Sequence, residues 1–170
     1  PDETVAQLDR INDSTYVRTV TPQWGVAKLE ILEFDGTQFN LVATVDFGEA
    51  VTSVKVIPGE KVLVTCDSGA YQFDPLDGNP QGTIEQVAST TLDEYFKTSV
   101  SFVNAEGDQC HIFAGEGSNM VLMEGEDETL IPLPDMVAGT GIFRLRIGDG
   151  QLVINNGARV FSVPFDSNNP

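Results

Sequence analysis

The chain has 170 residues, 41% of them hydrophobic, with nine Lys and Arg against 26 Asp and Glu for a formal net charge of −17. That length can bury a full core in one domain, and no apolar run nears the roughly 18 residues a membrane helix needs, so a soluble chain without membrane insertion is expected. The acid excess works against nucleic acid and anionic lipid, whose affinity comes from Lys and Arg releasing counterions, and favours basic partners or cations. The acids are scattered over hairpin turns and not laid out as a phosphate-like stripe, which reads as a solvated surface. The first residue is Pro1 and no apolar segment follows a basic start, so a processed mature end or a piece of a longer protein is expected.

Strands emerge from period-two alternation. The first unit is the faintest: residues 14–20, 24–34 and 39–47 fit strands. In the last of these Phe39, Leu41, Ala43, Val45 and Phe47 are expected to point one way and Asn40, Thr44 and Asp46 the other. Within 29–34 the alternation slips a phase between Ile31 and Leu32, which predicts a bulge. The cleanest unit follows, with strands at 51–57, 61–66, 70–73 and 83–88. A third has strands at 98–103, 110–114, 119–123 and 129–133, and a fourth at 141–147, 151–154 and 158–165, one strand short. Segments 61–66 and 110–114 are more continuously apolar and are expected to be inner strands covered on both faces. In 141–147, Phe143, Leu145 and Ile147 are set inward against Arg144 and Arg146.

Turn chemistry separates these strands. Asp35-Gly36, Asp77-Gly78 and Asp149-Gly150 are hairpin dipeptides that tolerate positive φ, and Pro58-Gly59 and Asn156-Gly157 serve similarly. Thr91-Leu92-Asp93-Glu94 matches a capping box, which predicts a short helical turn at 92–97 inserted between the second and third units.

The units repeat. Phe34, Phe73, Met123 and Val163 occupy one position in four copies, at steps of 39, 50 and 40 residues. Self-similarity of this length in short alternating strands points to radially repeated β-sheets. The expected fold is all-β and β-propeller-like. It has about four blades of four-stranded antiparallel meander sheets (approximately 4–47, 51–88, 98–133 and 141–165) in a single domain, either a complete small ring or part of a larger propeller. Residues 4–8 are placed to supply the missing strand beside 158–165 and close the ring.

Residues 62–74 (Val-Leu-Val-Thr-Cys-Asp-Ser-Gly-Ala-Tyr-Gln-Phe-Asp) and 152–163 (Leu-Val-Ile-Asn-Asn-Gly-Ala-Arg-Val-Phe-Ser-Val) look like the second-strand, Gly-turn, third-strand passage of a propeller blade. On these segments the chain resembles the β-propeller superfamily in its degenerate WD40-like form, since the Trp-Asp and Gly-His dipeptides are absent. The resemblance covers roughly residues 24–165. It implies a rigid platform of the kind that binds other proteins, and no particular chemistry.

Catalytic and metal chemistry find little support. His111, the single histidine, sits in the apolar run Cys110-His111-Ile112-Phe113 and reads as structural. With Cys66 and Cys110 it makes no zinc pattern. The two cysteines lie at opposite ends of their strands and are expected to be packed, unpaired thiols, which leans toward a reducing compartment. Gly115-Glu116-Gly117-Ser118 fits neither phosphate-binding template. The loop Asp74-Pro75-Leu76-Asp77-Gly78-Asn79 offers oxygens but not the spacing of a calcium loop, and turn chemistry explains it better; Glu124-Gly125-Glu126-Asp127-Glu128 reads as a solvated hairpin. Asn12-Asp13-Ser14 is an acceptor pattern for N-linked sugar, relevant only to a secreted chain.

No catalytic residue, cofactor or metal is therefore assigned. The expected function is a non-catalytic protein-interaction scaffold that binds other proteins, basic or neutral, as a subunit of a larger assembly. The alternative is a secreted carbohydrate-binding or glycoside-hydrolysing propeller domain. Leu92, Tyr95, Phe96 and Met136 are the candidate contact residues, the first three on the inserted turn and Met136 on the loop 132–141; the competing reading has Phe96 and Met136 plug gaps between sheets.

Overall fold

The computed structural model describes residues 3–22, 27–89, 95–116, 119–133, 141–142 and 144–167. Four antiparallel sheets follow one another along the chain. The first holds β1 (Glu3–Arg10), β2 (Thr15–Pro22), β3 (Lys28–Phe34) and β4 (Phe39–Asp46). The second holds β5 (Val51–Ile57), β6 (Lys61–Cys66), β7 (Gly69–Phe73) and β8 (Glu85–Ser89). The third holds β9 (Tyr95–Val103), β10 (Gln109–Glu116), β11 (Asn119–Glu124) and β12 (Asp127–Pro132), and the last β13 (Arg144–Gly148), β14 (Gln151–Asn155) and β15 (Val160–Pro164). Strand order within every sheet is sequential. The expected all-β class holds, and the last sheet has three strands. Among the described residues the single helical element is a 3-10 turn at Pro80–Thr83.

Phe34, Phe73, Met123 and Val163 fall on β3, β7, β11 and β15, the third strand of each sheet. Burial is highest on the strands expected to be covered on both faces, β6 and β10, and low on the last strands β4, β12 and β15. Asp149 (φ 52°) and Gly150 (φ 69°) both take positive φ between β13 and β14, the conformation a two-residue hairpin needs to match strand twist.

The chain divides into two compact units, residues 1–86 and 87–170. In the first, Val17, Leu29, Ile31 and Val45 of the first sheet share a core with Val54, Val62, Val64 and Phe73 of the second. Each such aliphatic side chain contributes about 1.5–3 kcal/mol through burial. In the second unit, Phe102, Ile112, Met120 and Leu122 of the third sheet pack with Leu145, Leu152 and Ile154 of the fourth, joined by Ile142, whose N–H donates to Gly115 C=O at 2.8 Å.

Three expectations are corrected. Residues 4–8 do not complete the last sheet: they belong to β1, which pairs with β2 through Val5–Val20 and Leu8–Arg18, because the short link at 11–14 makes the local hairpin the nearest partner. The helical turn expected at 92–97 is not formed by 95–97, which extend β9 past a register shift, with Tyr95 opposite Glu116 and Phe96 opposite Gly115. Asp77-Gly78 is no hairpin turn; it lies in the loop that leads to the 3-10 turn before β8.

Candidate functional site

The most distinctive surface of the first unit arises from one extra residue. β4 pairs Ala43 with Ile31 but Leu41 with Leu32, so Val42 has no counterpart on β3. This is the bulge expected at Ile31–Leu32. Because side chains alternate with a period of two, one extra residue reverses which side the rest of the strand presents. Ala43 and Val45 stay with the core, while Leu41 and Phe39 turn to the opposite side, alongside Leu32, Phe34 and Tyr16. The expected common direction for Phe39, Leu41, Ala43 and Val45 is thus wrong for the first two. Phe39, Leu41 and Val42 are 47%, 57% and 60% exposed.

The patch is held in place. The Phe39 ring meets Tyr16 edge-on at 5.1 Å and 89°, and Phe34 at 4.9 Å and 40°. Such pairs add roughly 0.5–1.5 kcal/mol beyond burial and fix ring orientation. The turn beyond is fixed by Asp35, whose Oδ1 accepts from the Thr37 and Gln38 amides at 2.9 Å, while Oδ2 accepts from Asn40 Nδ2 at 3.1 Å. The Gln38 amide, then Asn40 and the Thr37 amide, hold this carboxyl below its usual range.

Every cation of this sheet is already matched. Arg18 pairs with Glu30 across β2 and β3 at 2.5 Å, Lys28 with Asp46 at 3.6 Å, and Arg10 with Asp13. Glu33 and Asp35, beside the patch, have no cation in ion-pair range among the described residues. β4 is the outer strand, and its far end is capped by Gln81, which donates from Nε2 to Asp46 C=O at 3.0 Å and accepts the Asp46 N–H at 2.8 Å. The stretch 39–44 has no such cap among the described residues.

The second unit carries an open cavity of about 670 Å³, lined by Glu106, Asp108, Glu124 and Asp127 with Gln109 and Ser167. It has no aromatic lining residue on which a sugar ring could stack. Among the described residues no group of three or more His, Cys, Asp or Glu is arranged to hold a metal ion.

Phe96 is 2% exposed and stacks on Phe113 of the neighbouring strand β10 at 5.0 Å, so its ring is buried against its own sheet and not offered to a partner. Tyr95 lies on β9; Leu92 and Met136 lie outside the described residues. His111 is buried, with Nδ1 2.8 Å from Ser101 Oγ, and desolvation pushes its pKa down to about 4. Cys66 and Cys110 are free and buried. Burial, then Glu49 and Asp67, push the Cys66 thiol up to about 12, and burial followed by Glu124 raises Cys110 as well, so neither is poised as a nucleophile. The Asp74 and Asp77 carboxylates accept the Leu76 and Asn79 amides at 2.9 and 2.8 Å, which is turn chemistry. Asn12 Oδ1 likewise accepts the Ser14 and Thr15 amides.

The apolar patch escaped sequence reading, although its signal was present. The slip at Ile31–Leu32 lies in β3, but a bulge there must displace a neighbouring strand, and β4 carries the extra residue. No protein-family model and no curated protein sequence matches the chain.

Proposed function

We propose that the protein is a non-catalytic protein-interaction scaffold whose four meander sheets act as blades of a β-propeller-like body, complete or part of a larger ring. The observation that carries this reading is the exposed apolar group Phe39, Leu41 and Val42 on a hydrogen-bonded sheet, with the Phe39 ring held by Tyr16 and Phe34. Contiguous exposed apolar surface marks a place where another molecule sits. Support for the blade arrangement comes from the repeat positions on the third strand of each sheet and from the exposure of the last strands. The acidic surface sets the partner's sign: basic or neutral, with rim charges tuning association rates more than affinity. A carbohydrate site would draw on aromatic platforms, and the acidic cavity has none.

The test is affinity capture from native extract with the full chain, Leu41→Asn and Val160→Asn, followed by mass spectrometry. A protein retained by the parent and by Val160→Asn, and lost by Leu41→Asn, is the expected result. Identical capture by all three, or turnover of a small substrate with no protein retained, would overturn the reading.

A further inference from the structure

We infer that the partner of this surface is a basic, extended segment of another protein that adds as a strand to β4 along residues 39–44. The inference rests on the scaffold reading and names its site and ligand chemistry. The first ground is backbone geometry. Asp46 turns both its N–H and its C=O away from β3 to meet the Gln81 side chain. In an antiparallel ladder the outward-facing residues alternate, so Thr44, opposite Glu30 as Asp46 is opposite Lys28, presents its N–H and C=O outward in the same way. Gln81 therefore occupies one rung of the position a further strand would take, and leaves the rungs toward Phe39 open among the described residues. That open stretch spans about 20 Å at the usual rise per residue.

The second ground is side-chain chemistry. Leu41 and Phe39 stand on one side of the open edge with Leu32 and Phe34, so an added strand that alternates apolar and polar residues would cover them with every second side chain. The third is charge. Arg10, Arg18 and Lys28 are already neutralised, Glu33 and Asp35 have no cation in ion-pair range among the described residues, and the whole chain carries −17. A second copy of this chain would bring the same negative charge to the edge, whereas Lys or Arg at the polar positions of an incoming strand would meet unpaired carboxylates.

The test uses the full chain and three fluorescent nonapeptides in fluorescence anisotropy: alternating Val and Lys, alternating Val and Glu, and Val and Lys reordered to a helical period. The alternating Val–Lys peptide is expected to bind at least about tenfold tighter than either control, since each 1.4 kcal/mol of complementarity is a factor of ten. Leu41→Asn, and Thr44→Pro, which removes an outward N–H while sparing the ladder to β3, should each weaken it by about tenfold or more. Val160→Asn should leave it unchanged, and hydrogen exchange should slow at 39–45. Equal binding of the Val–Glu peptide, no effect of Thr44→Pro, or protection confined to other residues would overturn the inference. So would a dimer of the chain alone that Leu41→Asn dissociates, because the occupant would then be a second copy. A photocrosslinker placed separately at positions 41 and 160 keeps the two proposals apart. Trapping of a protein at 160 and none at 41 leaves the scaffold standing and removes this edge as its site; trapping at neither removes both.

Discussion

The imidazole Nδ1 of His111 lies 2.8 Å from the Ser101 hydroxyl, on a pair of residues directly opposite one another in β10 and β9. The ring is also 5.9 Å from that of Phe113, and it is 5% exposed. Burial disfavours the imidazolium, so the folded pKa of about 4 lies below the ordinary 6.5. Below pH 6.5 the unfolded chain takes up a proton that the folded chain refuses. Stability from this group is therefore complete above pH 6.5 and lost progressively toward pH 4, by roughly 3 kcal/mol. His111→Gln should flatten that limb of the stability–pH profile, measured by urea unfolding between pH 7.5 and 4.5. An unchanged slope would mean that the folded protein accommodates the charged ring.

The two thiols should be silent in the native protein. Cys66 and Cys110 are fully buried, and their raised pKa values keep them protonated at pH 8. A disulfide-exchange reagent at pH 8 should label neither until guanidinium is added, and both afterwards. For Cys66 the sign runs opposite to that of His111 on the pH axis. Its share of stability is present below about pH 9 and is lost as the pH rises toward 12, so Cys66→Ala should flatten the alkaline limb.

Hairpin closure depends on single side-chain oxygens. Asn156, 8% exposed, accepts the Ala158 and Arg159 amides at 3.2 and 2.8 Å, and Asn104 accepts those of Glu106 and Asp108 at 3.1 and 2.8 Å. Asn156→Ala takes the acceptor from two amides of an exposed turn and should cost about 0.5–1.5 kcal/mol in denaturant unfolding. Asn156→Asp, which keeps the accepting oxygen, should recover most of that loss.

Deleting Val42 should separate fold from solubility. The residue has no partner on β3, and its removal joins two ladder segments that already agree with the alternation of Ile31 and Leu32. The thermal midpoint should shift by only a few degrees. The outer edge, however, becomes regular and flat, the form that invites strand-to-strand association. Sedimentation velocity at high ionic strength, where the −17 charge of each copy is screened, should show self-association in the deletion and none at equal concentration in the parent.

Much of this architecture was legible because its causes are local. Alternation marked 51–57 to the residue, Asp149-Gly150 announced its turn, and the slip at Ile31–Leu32 announced a bulge. Continuous apolar runs identified the strands buried on both faces, β6 and β10. The capping-box residues 91–94 lie outside the described residues, but Tyr95 and Phe96, read as the end of that helical turn, pair with β10 instead, since pairing satisfies their backbone groups.

What the chain determined by itself is the number of sheets, their strand order and the phase of most strands, because each follows from neighbours within a hairpin's reach. Tertiary structure decided which strand absorbed the extra residue, and with it the side to which Phe39 and Leu41 turn. It also decided that β1 pairs with β2, and that Phe96 is buried while Leu41 is not. Those outcomes depend on register between strands and on what packs against each face, quantities that no alternation within one segment encodes.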